Sequence, residues 1–110
     1  MGTDIYLIKY ERVSNSKPNR LIDKKWIKKY TFNDAIELVN IYLDNINRNE
    51  DSTFIIDIEQ HDVFDLDKEE HLCKITTVKM GKSIKSIIKM IAKPPLSNKI
   101  KKSIKLPKQF

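Results

Sequence analysis

Apolar and polar positions alternate from the first residues onward. Residues 4–13 (DIYLIKYERV) place Tyr6, Ile8 and Tyr10 on one side of an extended chain, and the segment is rich in β-branched and aromatic residues with no Gly or Pro inside it. A first strand is predicted there. Residues 14–19 (SNSKPN) are turn chemistry, and residues 24–30 (KKWIKKY) resume the alternation, with Trp26, Lys28 and Tyr30 on one face and Lys25, Ile27 and Lys29 on the other. Aromatics that alternate along a strand are usually its buried set, so Trp26 and Tyr30 are expected to face the core while the lysines extend into solvent. The other reading of this segment is an exposed strand whose aromatics stack on bases and whose lysines meet phosphates.

The period then changes. Thr31 can cap a helix whose first turn carries Asp34, and Ala35, Leu38, Val39, Tyr42, Leu43 and Ile46 recur at the spacing of one helical face. Adding Ile36 and Ile41 makes that face broad, as in a helix lying across a sheet. Residues 53–60 (TFIIDIEQ) and 72–80 (LCKITTVKM) read as two further strands, plausible antiparallel partners joined by the acidic residues 62–70. Residues 82–93 (KSIKSIIKMIAK) fit a helix with an Ile84, Ile87, Ile88, Ile91 stripe opposite Lys82, Lys85, Lys89 and Lys93, stopped by Pro94 and Pro95. Residues 96–110 hold Ser97 as a cap and Ile100 and Ile104 at helical spacing, a segment too short to be helical unless it docks. The expected fold is α+β: a small antiparallel sheet of about four strands in the order ββαββα, one helix across it, and a basic amphipathic C-terminal helix plus tail. Residues 1–93 form the expected single domain and residues 94–110 a basic tail.

Composition sharpens this in one respect. With 110 residues, 40% hydrophobic and 33% charged, the chain suits one modest core. Its formal net charge of +6 is strongly segregated: residues 1–49 hold nine basic and six acidic side chains, residues 50–70 one and nine, and residues 71–110 eleven and none. Such a lysine-rich stretch requires an anionic partner or the chain's own acidic segment. A single cysteine, Cys73, excludes an internal disulfide framework and reads as a small core side chain. No apolar run is long enough for a signal peptide or a membrane span, so a cytoplasmic protein is expected.

Several constellations carry candidate chemistry. Met80-Gly81-Lys82-Ser83 ends like a phosphate-binding loop, but Thr76 occupies the place of the first glycine, which leaves an ordinary glycine turn. Asp57, Glu59 and His61 share one strand face, with His71 nearby, and could hold a divalent cation; the other reading is a solvated sheet face. No Glu-x-Lys triplet accompanies them, so a metal-dependent nuclease is the least favoured reading, no catalytic residue is assigned, and no cofactor is expected.

The favoured function is therefore a non-enzymatic binding protein that engages nucleic acid through its basic C-terminal segment. Lys82, Lys85, Lys89 and Lys93 would present one face, and Lys99, Lys101, Lys102 and Lys105 would continue it. Six such phosphate contacts would give a log–log salt slope of roughly −5. The alternative is a protein-interaction module or homodimer, such as a phage- or mobile-element-type inhibitor or regulator of a nucleic-acid enzyme. In that case Asp62, Asp65, Asp67, Glu69 and Glu70 would form the contact surface.

Overall fold

Long runs of Ile, Val, Thr and Tyr separated by short polar turns favour a sheet, and the computed structural model, which describes residues 4–15, 20–65 and 67–107, is built on one. Its elements are β1 (Asp4–Ser14), β2 (Leu21–Lys29), α1 (Phe32–Asp44), a single 3₁₀ turn (Ile46–Arg48), β3 (Ser52–Asp62), β4 (Glu69–Met80), β5 (Ser83–Met90) and α2 (Leu96–Ser103). The five strands form one antiparallel sheet in the order β2-β1-β3-β4-β5. The chain is α+β, as expected, with one strand more than the sequence pattern suggested.

Both helices cover the same face of the sheet. Thr31 caps α1, its side-chain oxygen accepting from the Asp34 amide at 3.1 Å. Ala35, Ile36, Val39 and Leu43 of α1 then pack on Ile8, Phe54, Ile56, Ile58 and Ile75 from the three central strands. Ile100 and Ile104 bring α2 into the same core. Asn40 of α1 fastens the end of α2: its amide donates to the Ser103 carbonyl at 3.0 Å and its oxygen accepts from the Lys105 amide at 2.9 Å. Among the described residues, no helix lies over the other face of the sheet.

Residues 82–93 require a correction. Gly81 and Lys82 form a two-residue hairpin turn between Met80 and Ser83, and the chain returns as β5, not as an amphipathic helix. Gly81 has a φ of +59°, the left-handed value that a type II′ turn places at its first central position. In β5, Ile84, Ser86 and Ile88 point inward and Lys85, Ile87 and Lys89 outward, so the supposed stripe divides between two faces, with Ile91 beyond the strand and 47% exposed. A serine at a core position disguises the alternation. It is tolerated because the buried Ser86 and Thr77 hydroxyls hydrogen-bond across the hairpin at 2.7 Å.

Trp26 also departs from expectation. It pairs with Lys9 across β1, and its neighbour Ile27 pairs with the buried Ile8, so the indole lies on the uncovered face and is 63% exposed. Tyr30, just past β2, is exposed as well. The inward positions of this edge strand are Lys25, Ile27 and Lys29.

A β-bulge opposite Ile58 and Glu59 turns both Leu72 and Cys73 into the core. Burial pushes the Cys73 thiol up from its ordinary 9.0 to about 12, and the Asp57 charge adds to this. The thiol is therefore expected to resist alkylating reagents at neutral pH until the chain unfolds, which a thiol-reaction time course with and without denaturant would show. The folded state favours the protonated thiol, so this contribution to stability is complete below pH 9 and is lost as pH rises toward 12, by at most about 1.4 kcal/mol per pH unit relative to Cys73→Ala.

Candidate functional site

Strand pleating sends every second side chain of the sheet to the uncovered face, and register then determines which residues meet. One cross-strand row runs Trp26, Lys9, Asp57, Lys74, Lys89 from edge to edge. The next runs Lys24, Glu11, Ile55, Thr76, Ile87. Trp26 sits between two ammonium groups, with Lys24 Nζ 5.4 Å and Lys9 Nζ 5.6 Å from its ring centroid. Lys9, Glu11, Lys24, Trp26, Ile55, Asp57 and Lys74 line a shallow depression of about 320 Å³. Ile87, at 72% exposure, is a second large apolar side chain standing free on this face.

Glu59 lies two residues along β3 from Asp57, outside the lining of the depression, and meets it through Lys9. Its side chain is only 2% exposed, yet it is well partnered: Lys9 Nζ donates to Oε1 at 2.6 Å, His61 Nε2 lies 3.0 Å from Oε2, and His71 Nδ1 lies 3.4 Å from Oε1. Burial works to raise the Glu59 carboxyl. The hydrogen bonds with Lys9 and His61 and the charges of Lys9 and His71 outweigh it and hold the group below its ordinary value. The same hydrogen bond raises the Lys9 ammonium, although burial opposes it. Lys9 thus links the buried carboxylate to the exposed indole.

The sequence-predicted lysines are divided by the fold. Lys85 and Lys89 project from the uncovered face on β5, and Lys82 occupies the β4–β5 turn. Lys93 follows β5, while Lys99, Lys101 and Lys102 belong to α2 on the opposite face. Lys99 Nζ lies 4.1 Å from the Phe32 ring centroid, and the Lys105 backbone is held by Asn40. These side chains therefore do not make one continuous surface.

The acidic residues are divided too. Asp62 and Asp65 accept from the Phe64 and Asp67 amides at 2.8 and 3.2 Å, which are local turn bonds in the β3–β4 connection. Glu69 stands beside His61, and Glu70 pairs with Gln60 on the next position. Of the candidate metal residues, Glu59 and His61 come together, whereas Asp57 lies in the Trp26 row. Lys9 and Lys74 are the residues of this face that sequence reasoning missed, whereas Trp26, Lys24 and Lys28 stood in the less favoured reading of residues 24–30 as an exposed strand. Ile27 between Lys25 and Lys29 was the available signal, because an edge strand with apolar residues on both sides can turn either side inward.

No helix among the described residues is long and apolar enough to cross a membrane. Compared with known proteins, the chain matches no family model, no curated protein and no solved structure, so the surface itself carries the functional argument.

Proposed function

We propose that the chain binds single-stranded nucleic acid across the uncovered face of its sheet. The supporting observation is Trp26, an exposed indole flanked by the ammonium groups of Lys9 and Lys24. An unstacked base has a π-face that can rest on the indole, and stacking of this kind is tolerant of sequence. Lys24 and Lys28 flank the ring along β2. Lys74, Lys85 and Lys89 offer phosphate contacts further across the sheet, about 19 Å away for Lys89 at ordinary strand spacing.

Glu11, Asp57 and Glu59 share the face and restrain its positive field. Stacking therefore contributes more than charge. Three effective phosphate contacts on a single strand imply a log–log salt slope of roughly −2, clearly shallower than the roughly −4 that six contacts from a continuous track of C-terminal lysines would give on the same single strand.

Trp26 is the only tryptophan, so its fluorescence reports this surface and no other. Titration with unstructured DNA and RNA oligonucleotides is expected to give saturable quenching with the shallow slope. Binding without quenching, or with a slope of about −4, would transfer the function to the C-terminal lysines. Absence of binding to either polymer would sink the proposal.

A further inference from the structure

β3 and β4 each carry a Glu-x-His triplet, Glu59-x-His61 and Glu69-x-His71, and the strands run antiparallel. The register pairs Glu59 with His71 and His61 with Glu69, so two carboxylates and two imidazoles occupy a two-by-two block on the uncovered face. One ligand atom from each of Glu59, His61 and Glu69 falls within a group spanning 4.8 Å. Glu59 Oε2 is 3.0 Å from His61 Nε2, which is 4.0 Å from Glu69 Oε2. Metal–ligand bonds of about 2.0–2.1 Å in a tetrahedron separate neighbouring ligand atoms by about 3.3 Å. The existing spacing brackets that value.

The geometry points to a binding site for a divalent transition ion of the Zn²⁺ type, held by Glu59 Oε2, His61 Nε2 and Glu69, with the fourth position open to solvent beside His71. This inference is independent of the nucleic-acid reading. Two carboxylates, one of them shared with the Lys9 ammonium, leave a net negative charge facing the ion, and an imidazole nitrogen among the donors favours Zn²⁺ or Co²⁺ over Mg²⁺ or Ca²⁺. Lys9 does not block the site, because it engages the other Glu59 oxygen. The buried Glu59 gives the site a fixed wall, and the half-exposed Glu69 has room to close on the ion.

Calorimetric titration of tag-free, EDTA-treated full-length protein with ZnCl₂ is expected to show one ion per chain, with CoCl₂ binding at the same place and MgCl₂ and CaCl₂ not competing. Glu69→Gln and His61→Ala are each expected to weaken Zn²⁺ roughly tenfold or more, while Asp57→Asn, in the neighbouring row, leaves it unchanged. Glu69 is half-exposed, so Glu69→Gln should fold like the parent, as its circular dichroism would verify. Failure to bind Zn²⁺, Zn²⁺ binding indifferent to Glu69→Gln, or equal binding of Mg²⁺ would each overturn the assignment.

Discussion

Trp26→Ala is expected to weaken single-stranded nucleic-acid binding by about 10- to 100-fold, the loss of one stacked base at about 1–3 kcal/mol. Fold stability should change by no more than about 0.5 kcal/mol, since the exposed indole supports no core contact. That separation makes the substitution informative, because a drop in affinity cannot then be ascribed to unfolding. Lys101→Glu with Lys102→Glu is the matched control. Those side chains are exposed on α2, across the sheet from Trp26, and should matter little to a strand on the uncovered face. If instead the paired lysine change abolishes binding and Trp26→Ala does not, the contact surface lies on the helix side. Anisotropy with a labelled oligonucleotide, at two salt concentrations, measures both variants in one series.

Much of the architecture was legible because long segments obey a single period. Tyr6, Ile8 and Tyr10, the α1 face and the Phe54, Ile56, Ile58 series each announce one buried side, and the structure places them as the alternation and helical spacing require, except that Ile41, counted in the broad helix face, is 47% exposed. Legibility failed where a segment fits both periods. Ile84, Ile87, Ile88 and Ile91 satisfy helical spacing, yet the Gly81-Lys82 turn closes a hairpin that pairs the segment with β4, and pairing along a whole strand outweighs a stripe that had no partner. The β-branched content and the preceding glycine turn were the local evidence for a strand. Trp26 failed for a different reason: hydrophobicity alone does not say which face of an edge strand is covered. The candidate site could not be assembled from spacing at all. Glu69 and Trp26 reach it only through cross-strand register, and the Leu72 bulge determines which face His71 adopts.

Ile100→Ala is expected to cost about 2–5 kcal/mol, the usual range for truncating a fully buried isoleucine. A small domain is stable by only about 5–15 kcal/mol, so this is a large fraction of the whole. The helix around it explains why the effect should also be local. α2 has eight residues and no side-chain cap at its start, and a helix of that length is marginal in water. What orders it is the burial of Ile100 and Ile104 together with the Asn40 bonds to Ser103 and Lys105. Loss of Ile100 removes the largest of these anchors, so the segment should open before the sheet does. Trypsin then gains access to Lys101 and Lys102, and early cleavage there, with the urea midpoint lowered, is the expected result. Asn40→Ala should reproduce the early cleavage with a smaller stability loss of about 1–3 kcal/mol. Uniform destabilisation without preferential cleavage would instead make α2 an inseparable part of the cooperative core.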